Sequence, residues 1–181
     1  NRPSGTVGER CALNLAGSAL SNTTITRGDW LVGSPAPKPT HRLDVELRVL
    51  ASEPAPIKHW TPVHLHLGAA SLTGRVAVLQ GREIASGTSA LAQIVLDQPT
   101  VAITGDRFII RDQSASRTLG GGRIVAPFGA VKGRARPDRI AWLQARQAKP
   151  VEAAFDAVLE LASTGISVSQ FNQAYNLDSD Q

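Results

Sequence analysis

Along LDVELRVLA (43–51), Leu43, Val45, Leu47 and Val49 alternate with Asp44, Glu46 and Arg48. A period of two sends one set to a core and the other to solvent, so the stretch predicts a half-buried β-strand. VHLHLG (63–68) repeats the pattern, with Val63, Leu65 and Leu67 opposed to His64 and His66. GRVAVLQG (74–81), LAQIVLDQP (91–99), TVAITG (100–105) and DRFIIRD (106–112) continue the series, each bounded by Gly, Pro, Asp or Thr. Short strands parted by turn residues, with no helical period between them, predict a closed or sandwiched all-β unit. A small barrel would leave that sheet without exposed edges.

Upstream, ERCALNLAG (9–17) alternates Cys11, Leu13 and Leu15 with Arg10, Ala12 and Asn14, and RGDWLVG (27–33) is a turn feeding a short apolar run. Both predict strands. SPAPKPT (34–40) places three prolines in seven residues. Proline has no amide hydrogen for a ladder, so this segment predicts a stiff linker and a domain boundary. Beyond Arg136 the period changes. PDRIAWLQARQ (137–147) spaces Ile140, Leu143 and Gln144 helically. PVEAAFDAVLELAS (150–163) aligns Val151, Ala154, Phe155, Val158, Leu159 and Ala162 in one stripe behind Pro150. TGISVSQFNQAYNL (164–177) predicts a turn, a Ser167 or Ser169 cap, and a third short helix. The three helices would open a winged or helix-turn-helix module, or form a plain cap on the barrel.

The 181 residues, 42% of them hydrophobic, suffice for a packed core and one to two small domains. No apolar run is long enough to span a membrane, and no basic-then-apolar leader opens the chain. The single cysteine, Cys11, excludes an internal disulfide and a cysteine-based zinc site, which fits a cytoplasmic setting. A chain that starts at Asn1 and holds no methionine is expected to be part of a longer protein. Charge is unevenly placed. Residues 101–149 hold ten Lys/Arg and three Asp/Glu, whereas residues 150–181 hold no Lys/Arg and five Asp/Glu. The middle segment would attract a polyanion and the tail would repel one.

Catalytic and cofactor motifs are missing. There is no GxxxxGK[ST] loop, and Gly120–Gly122 run into Arg123, Ile124 and Val125 as a strand, not into a helix that could cradle phosphate. His64 and His66 share a face, but only His41 and His59 could add ligands, so no metal site is assigned. Asp112, Ser114 and Ser116 beside Arg117 lack a base to make a nucleophile. What remains is RDQSASRTLGGGRIV (111–125). Bare glycine main chain beside the Arg117 guanidinium suits a sugar–phosphate backbone, because no Cβ blocks the N–H groups and arginine offers a fork of donors. Glycine also marks tight bends in strands, so closure of the barrel is the rival explanation.

GDRFIIRDQSASRTLGGGRIV (105–125) resembles the closing strands of the third domain of elongation factor Tu-like translation GTPases. Together with VHLHLGAASLTGRVAVL (63–79), it is most similar to the bacterial selenocysteine-specific elongation factors. The resemblance implies a mainly β chain with an α-helical C-terminus, in which a translation-factor β-barrel is followed by the beginning of a winged-helix domain. Residues 1–36 would be a remnant of barrel domain two, 37–128 barrel domain three, and 129–181 a linker with a partial first winged helix. It implies a non-enzymatic, monomeric, cytoplasmic piece of a factor that delivers selenocysteyl-tRNA to the ribosome. GTP and Mg would bind an N-terminal domain outside this chain, and an mRNA hairpin would bind winged helices beyond it; no cofactor is expected here. The RNA-binding residues that the resemblance implies are Arg117, Thr118, Gly120, Gly121 and Gly122; Lys58, His59, His64 and His66 are further RNA-binding candidates read from the residues, which would add charge on one rim. Lys132, Arg134 and Arg136 of the glycine-rich join FGAVKGRARP (128–137) would form a basic hinge. Trp30, Trp60 and Trp142 are expected in cores or between domains. The alternative is a non-catalytic scaffold whose barrel packs on the GTPase domain without touching RNA.

Overall fold

A computed structural model describes residues 4–6, 8–17, 25–33 and 38–177. Six strands close into a barrel: β1 (Thr40–Val49), β3 (Thr61–Leu67), β4 (Ala70–Val78), β6 (Ser89–Thr100), β7 (Arg107–Arg111) and β8 (Thr118–Ala126). Their order around the barrel is β1-β6-β4-β3-β7-β8, and every pairing, including the β8–β1 pair that closes it, is antiparallel. A two-stranded ribbon of β2 (Ile57–Lys58) and β5 (Glu83–Ile84) lies outside that sheet. Helices α1 (Pro137–Ala145), α2 (Val151–Leu161) and α3 (Val168–Tyr175) follow.

The alternation in β1 is realised as predicted: Leu43, Val45, Leu47 and Val49 are wholly buried in the core with Leu65, Ile94, Ile110 and Ile124. Each such aliphatic side chain contributes roughly 1.5–3 kcal/mol by leaving water. Asp44 is the exception on the outward set, buried under the linker that follows β8.

Closure depends on β8 fitting between β1 and β7. Leu47 pairs with Gly122 and Val49 with Gly120 on one side, and Phe108 pairs with Gly122 and Ile110 with Gly120 on the other. A Cβ on Gly122 would collide with the Glu46 carbonyl oxygen, and one on Gly120 with that of Arg48. On Gly121 it would lie 2.6 Å from the Phe108 carbonyl oxygen. These are backbone obstacles that rotamer changes cannot relieve.

The helices are fastened to the outside of the barrel in two places. The buried pair Asp44 and Gln93 forms a polar seat: Gln93 Nε2 donates to Asp44 Oδ1 (2.7 Å) and to the Ala130 carbonyl (3.1 Å). Arg139 of α1 donates to Asp44 Oδ2 (2.5 Å), and Arg134 to Gln93 Oε1 (3.3 Å). The second fastening is Arg146, only 5% exposed. It donates from Nε to the Val125 carbonyl (3.1 Å) and from a terminal nitrogen to Thr104 Oγ1 (3.1 Å). Its guanidinium lies 4.7 Å from the Trp142 ring centroid and 4.8 Å from that of Tyr175. Burial pulls the Arg146 pKa down and pushes the Tyr175 phenol up. Tyr175 donates to the Arg146 carbonyl (2.7 Å), and the Thr104 N–H to Ala174 (2.6 Å).

Three sequence expectations need correction. Residues 9–17 form no strand, and Cys11, Leu13 and Leu15 are exposed; alternation makes a strand only where a neighbour takes up the backbone groups. Residues 27–33 make a turn at Arg27–Gly28 and no strand follows, leaving Trp30, Leu31 and Val32 exposed. TVAITG is not a separate strand: β6 runs through to Thr100, and the chain then turns at Thr104–Gly105, where Gly105 has φ +94°. Of the proline-rich linker, residues 34–37 lie outside the described residues. Ser167 does cap α3, accepting from the Gln170 N–H (3.3 Å).

Gly122→Ala is expected to cost about 3 kcal/mol or more, read as a fall in the denaturation midpoint. Gly33→Ala, where a Cβ meets nothing within 4 Å, should stay within about 0.5 kcal/mol of the parent. Arg146→Ala should loosen the helices before the barrel. Hydrogen exchange is expected to speed up across α1–α3 while β1 and β6 stay protected.

Candidate functional site

Strand register decides which side chains share a surface. On the outside of β3 and β7, His64 stands opposite Arg111 and His66 opposite Ile109. Thr118, which begins β8, pairs with Arg111 from the other side. The structure therefore brings His64, His66, Arg111 and Thr118 together at one end of the β7–β8 hairpin. Its loop, residues 112–117, is organised by Asp112. That carboxylate accepts from the backbone N–H of Arg117 (3.0 Å) and Ser116 (2.8 Å) and from the Ser114 hydroxyl (3.0 Å). The Arg117 N–H, foremost, with the Ser114 and Ser116 donors, holds the Asp112 pKa down at about 2. His64 Nε2 lies 3.1 Å from the Gln113 carbonyl, and Arg111 donates to the Ser116 carbonyl (3.2 Å).

Two nitrogens in this cluster, Arg111 Nε and His66 Nε2, are buried without a hydrogen-bond partner. Desolvation, then the neighbouring Arg111 and His64, lowers the His66 pKa and so favours the neutral imidazole. Arg117 extends outward, half-exposed, with a terminal nitrogen 3.5 Å from the buried Glu53 carboxylate.

The other sequence-predicted residues lie elsewhere. Gly120 and Gly122 pair with inward-facing positions, and barrel closure is a sufficient physical reason for both. Gly121, opposite Arg48 and Ile109, is the one of the three that faces outward. Lys58 sits in the β2–β5 ribbon opposite Glu83. His59 places Nδ1 3.3 Å from the Val78 carbonyl and stacks on Trp60 at 5.8 Å. Arg134 lies over the same Trp60 ring at 5.7 Å, so Lys58, His59 and Arg134 belong to a second locality. Trp60 is 42% exposed at φ +73°, outside the barrel core; its backbone N–H donates to the Val76 carbonyl (2.6 Å). Arg136 pairs with Asp138 (3.4 Å), and Lys132 is exposed. Among the described residues no group of three or more His, Cys, Asp or Glu is placed to hold a metal ion.

Sequence reasoning passed over Arg111 and Asp112 as site residues, although both stand in the motif it singled out. The signal was available: Arg107, Ile109 and Arg111 occupy alternate positions of one strand, so all three face outward.

Residues 44–130 match the family model for the β-barrel domain of selenocysteine-specific elongation factors. The chain carries that barrel domain. It is 37% identical over 145 residues to the selenocysteine-specific elongation factor of Escherichia coli, covering 79% of this chain and 22% of that protein. It is 36% identical to the proteins of the same name from Haemophilus influenzae and Desulfomicrobium baculatum, in each case over 67% of this chain and 19% of the relative. The chain thus spans about a fifth of the length of the curated relatives it matches.

A carboxyl-resolved NMR titration should place the Asp112 midpoint near 2. Because its folded pKa is depressed, the order that Asp112 confers on the loop is fully present above about pH 4. It is lost as pH falls toward 2. Asp112→Asn should remove that acid transition and raise backbone mobility in residues 113–117.

Proposed function

We propose that this chain is the RNA-contacting barrel of a translation factor that delivers selenocysteyl-tRNA to the ribosome. The observation that carries the reading is the outward cluster of His64, Arg111 and Thr118, with the Asp112-ordered loop beside it, inside the segment that matches the family. A-form RNA offers proteins chiefly its phosphates and 2′-hydroxyls. A rigid loop exposing backbone groups and hydroxyls, flanked by a guanidinium and an imidazole, is suited to that surface. Arg117 adds a charge at the rim, and Gly120 and Gly122 act indirectly by holding β8 in place.

In this reading the barrel binds and orients the tRNA stem and performs no chemistry. GTP and Mg act on a GTPase domain of the whole factor, the ribosome receives the complex, and an mRNA hairpin is read by winged helices for which α1–α3 are the beginning. The factor works in the cytoplasm as a monomer. Two observations favour the scaffold alternative: the Arg117–Glu53 pair and the demand of closure explain the motif without RNA.

Fluorescence anisotropy with a selenocysteine tRNA transcript separates the two. RNA binding requires affinity that falls steeply with salt. Arg111→Gln combined with His64→Gln should flatten log K against log[salt] by roughly one unit. Wild-type binding no tighter than that of an unrelated basic protein would favour the scaffold.

A further inference from the structure

Three arginines outside that cluster share the adjoining part of the barrel's outer surface. Register puts Arg107 directly opposite Arg123 across β7 and β8, with Glu46 of β1 on the far side of Arg123. Arg48, two positions along β1 from Glu46, stands opposite Gly121, which in turn stands opposite Ile109. All three arginines are exposed, and none makes an ion pair or a side-chain hydrogen bond among the described residues. Elsewhere Arg117, Arg136 and Arg139 do have carboxylate partners. Like charges directly opposite on neighbouring strands repel, so the Arg107–Arg123 pair works against folding.

The middle of the patch is bare of side chain. Gly121 leaves a gap in the middle, and beside it Ile109 is 50% exposed. At its edge Arg123 and Glu46 line a cleft of about 370 Å³ between the barrel and the α1–α2 connection, into which Lys149 also faces. Lys149, too, has no ion-pair partner among the described residues. Four cations thus outnumber one carboxylate along a track from β1 across β8 to the helices.

We infer that the outer face of β1, β8 and β7, with Arg48, Arg107, Arg123 and Lys149, is a second docking surface for an RNA sugar–phosphate backbone, adjoining the β3–β7 cluster but made of different cations. Strands lie about 4.8 Å apart and same-face residues about 6.8 Å apart, so the three strand arginines are spread over roughly 10 Å and can each meet a different phosphate. The exposed Ile109 beside side-chain-free Gly121 gives the sugar edge an apolar floor. The inference shares with the preceding proposal only the premise that the chain binds RNA.

The test is anisotropy with a fluorescein-labelled RNA hairpin across a salt series, using wild type, Arg48→Gln/Arg107→Gln/Arg123→Gln, and Arg111→Gln/His64→Gln. The triple variant should flatten the log–log salt slope by about 2.1–2.7 units, at about 0.7–0.9 per lost phosphate contact. Its melting midpoint should hold or rise, since the repulsive pair is gone. If the triple variant does not fold, Arg107→Gln/Arg123→Gln replaces it, with an expected flattening of about 1.5 units. An unchanged slope in the β1–β8–β7 variants, with loss in the β3–β7 variant, overturns this inference alone. Loss in the former with none in the latter upholds it and overturns the site assigned above. A wild type that does not bind the hairpin overturns both. Displacement of the hairpin by polyglutamate of matched charge, dependent on the same arginines, overturns RNA in favour of an acidic protein surface.

Discussion

Everything in this chain hangs on how closely three backbones can approach where the barrel is sealed. β8 is hydrogen-bonded on both sides, and the neighbouring carbonyl oxygens of Glu46, Arg48 and Phe108 occupy the space where side chains would begin. The requirement is steric before it is anything else. Once met, it leaves no free edge at that seam, sets the register of β7 against β3, and so fixes which histidine faces which arginine. The surface chemistry is downstream of a packing rule that says nothing about RNA.

The join to the helices follows a different logic. Here Asp44 and Gln93 are buried on the outside of the barrel and both find partners: Asp44 with Gln93 and Arg139, Gln93 also with Ala130 and Arg134. Such networks add less stability than an apolar contact of equal size, but their geometry admits one arrangement. The linker after Ala126, which looks like a loose basic hinge in composition, is held by these bonds. Gly129 packs where a Cβ would sit 2.6 Å from Gln93 Nε2.

Much of the fold was legible in the sequence because a period of two is a strong signal when one face is buried. Leu43 to Val49 and Val63 to Leu67 announce their strands without help. The same signal misled at Cys11, Leu13 and Leu15, since alternation reports what a strand would bury and not whether a partner strand is there. The β2–β5 ribbon escaped notice because two residues carry no period. For the site, the sequence singled out the β7–β8 hairpin through its glycines. The glycines drew attention by composition, whereas the loop is organised by Asp112, whose role needs three-dimensional convergence of N–H groups from residues four and five positions on. Arg107 and Arg123 are sixteen positions apart along the chain, and only their register makes them neighbours.

Arg146 ties the Val125 carbonyl, in the sealing strand, to rings on α1 and α3, and the Thr104 amide adds a strut to Ala174. Barrel and helices therefore meet through the sealing strand itself: the guanidinium that bonds to β8 is the one that the rings of α1 and α3 cover. A change at Trp142 or Tyr175 thus has a path of one side chain to the strand that closes the barrel.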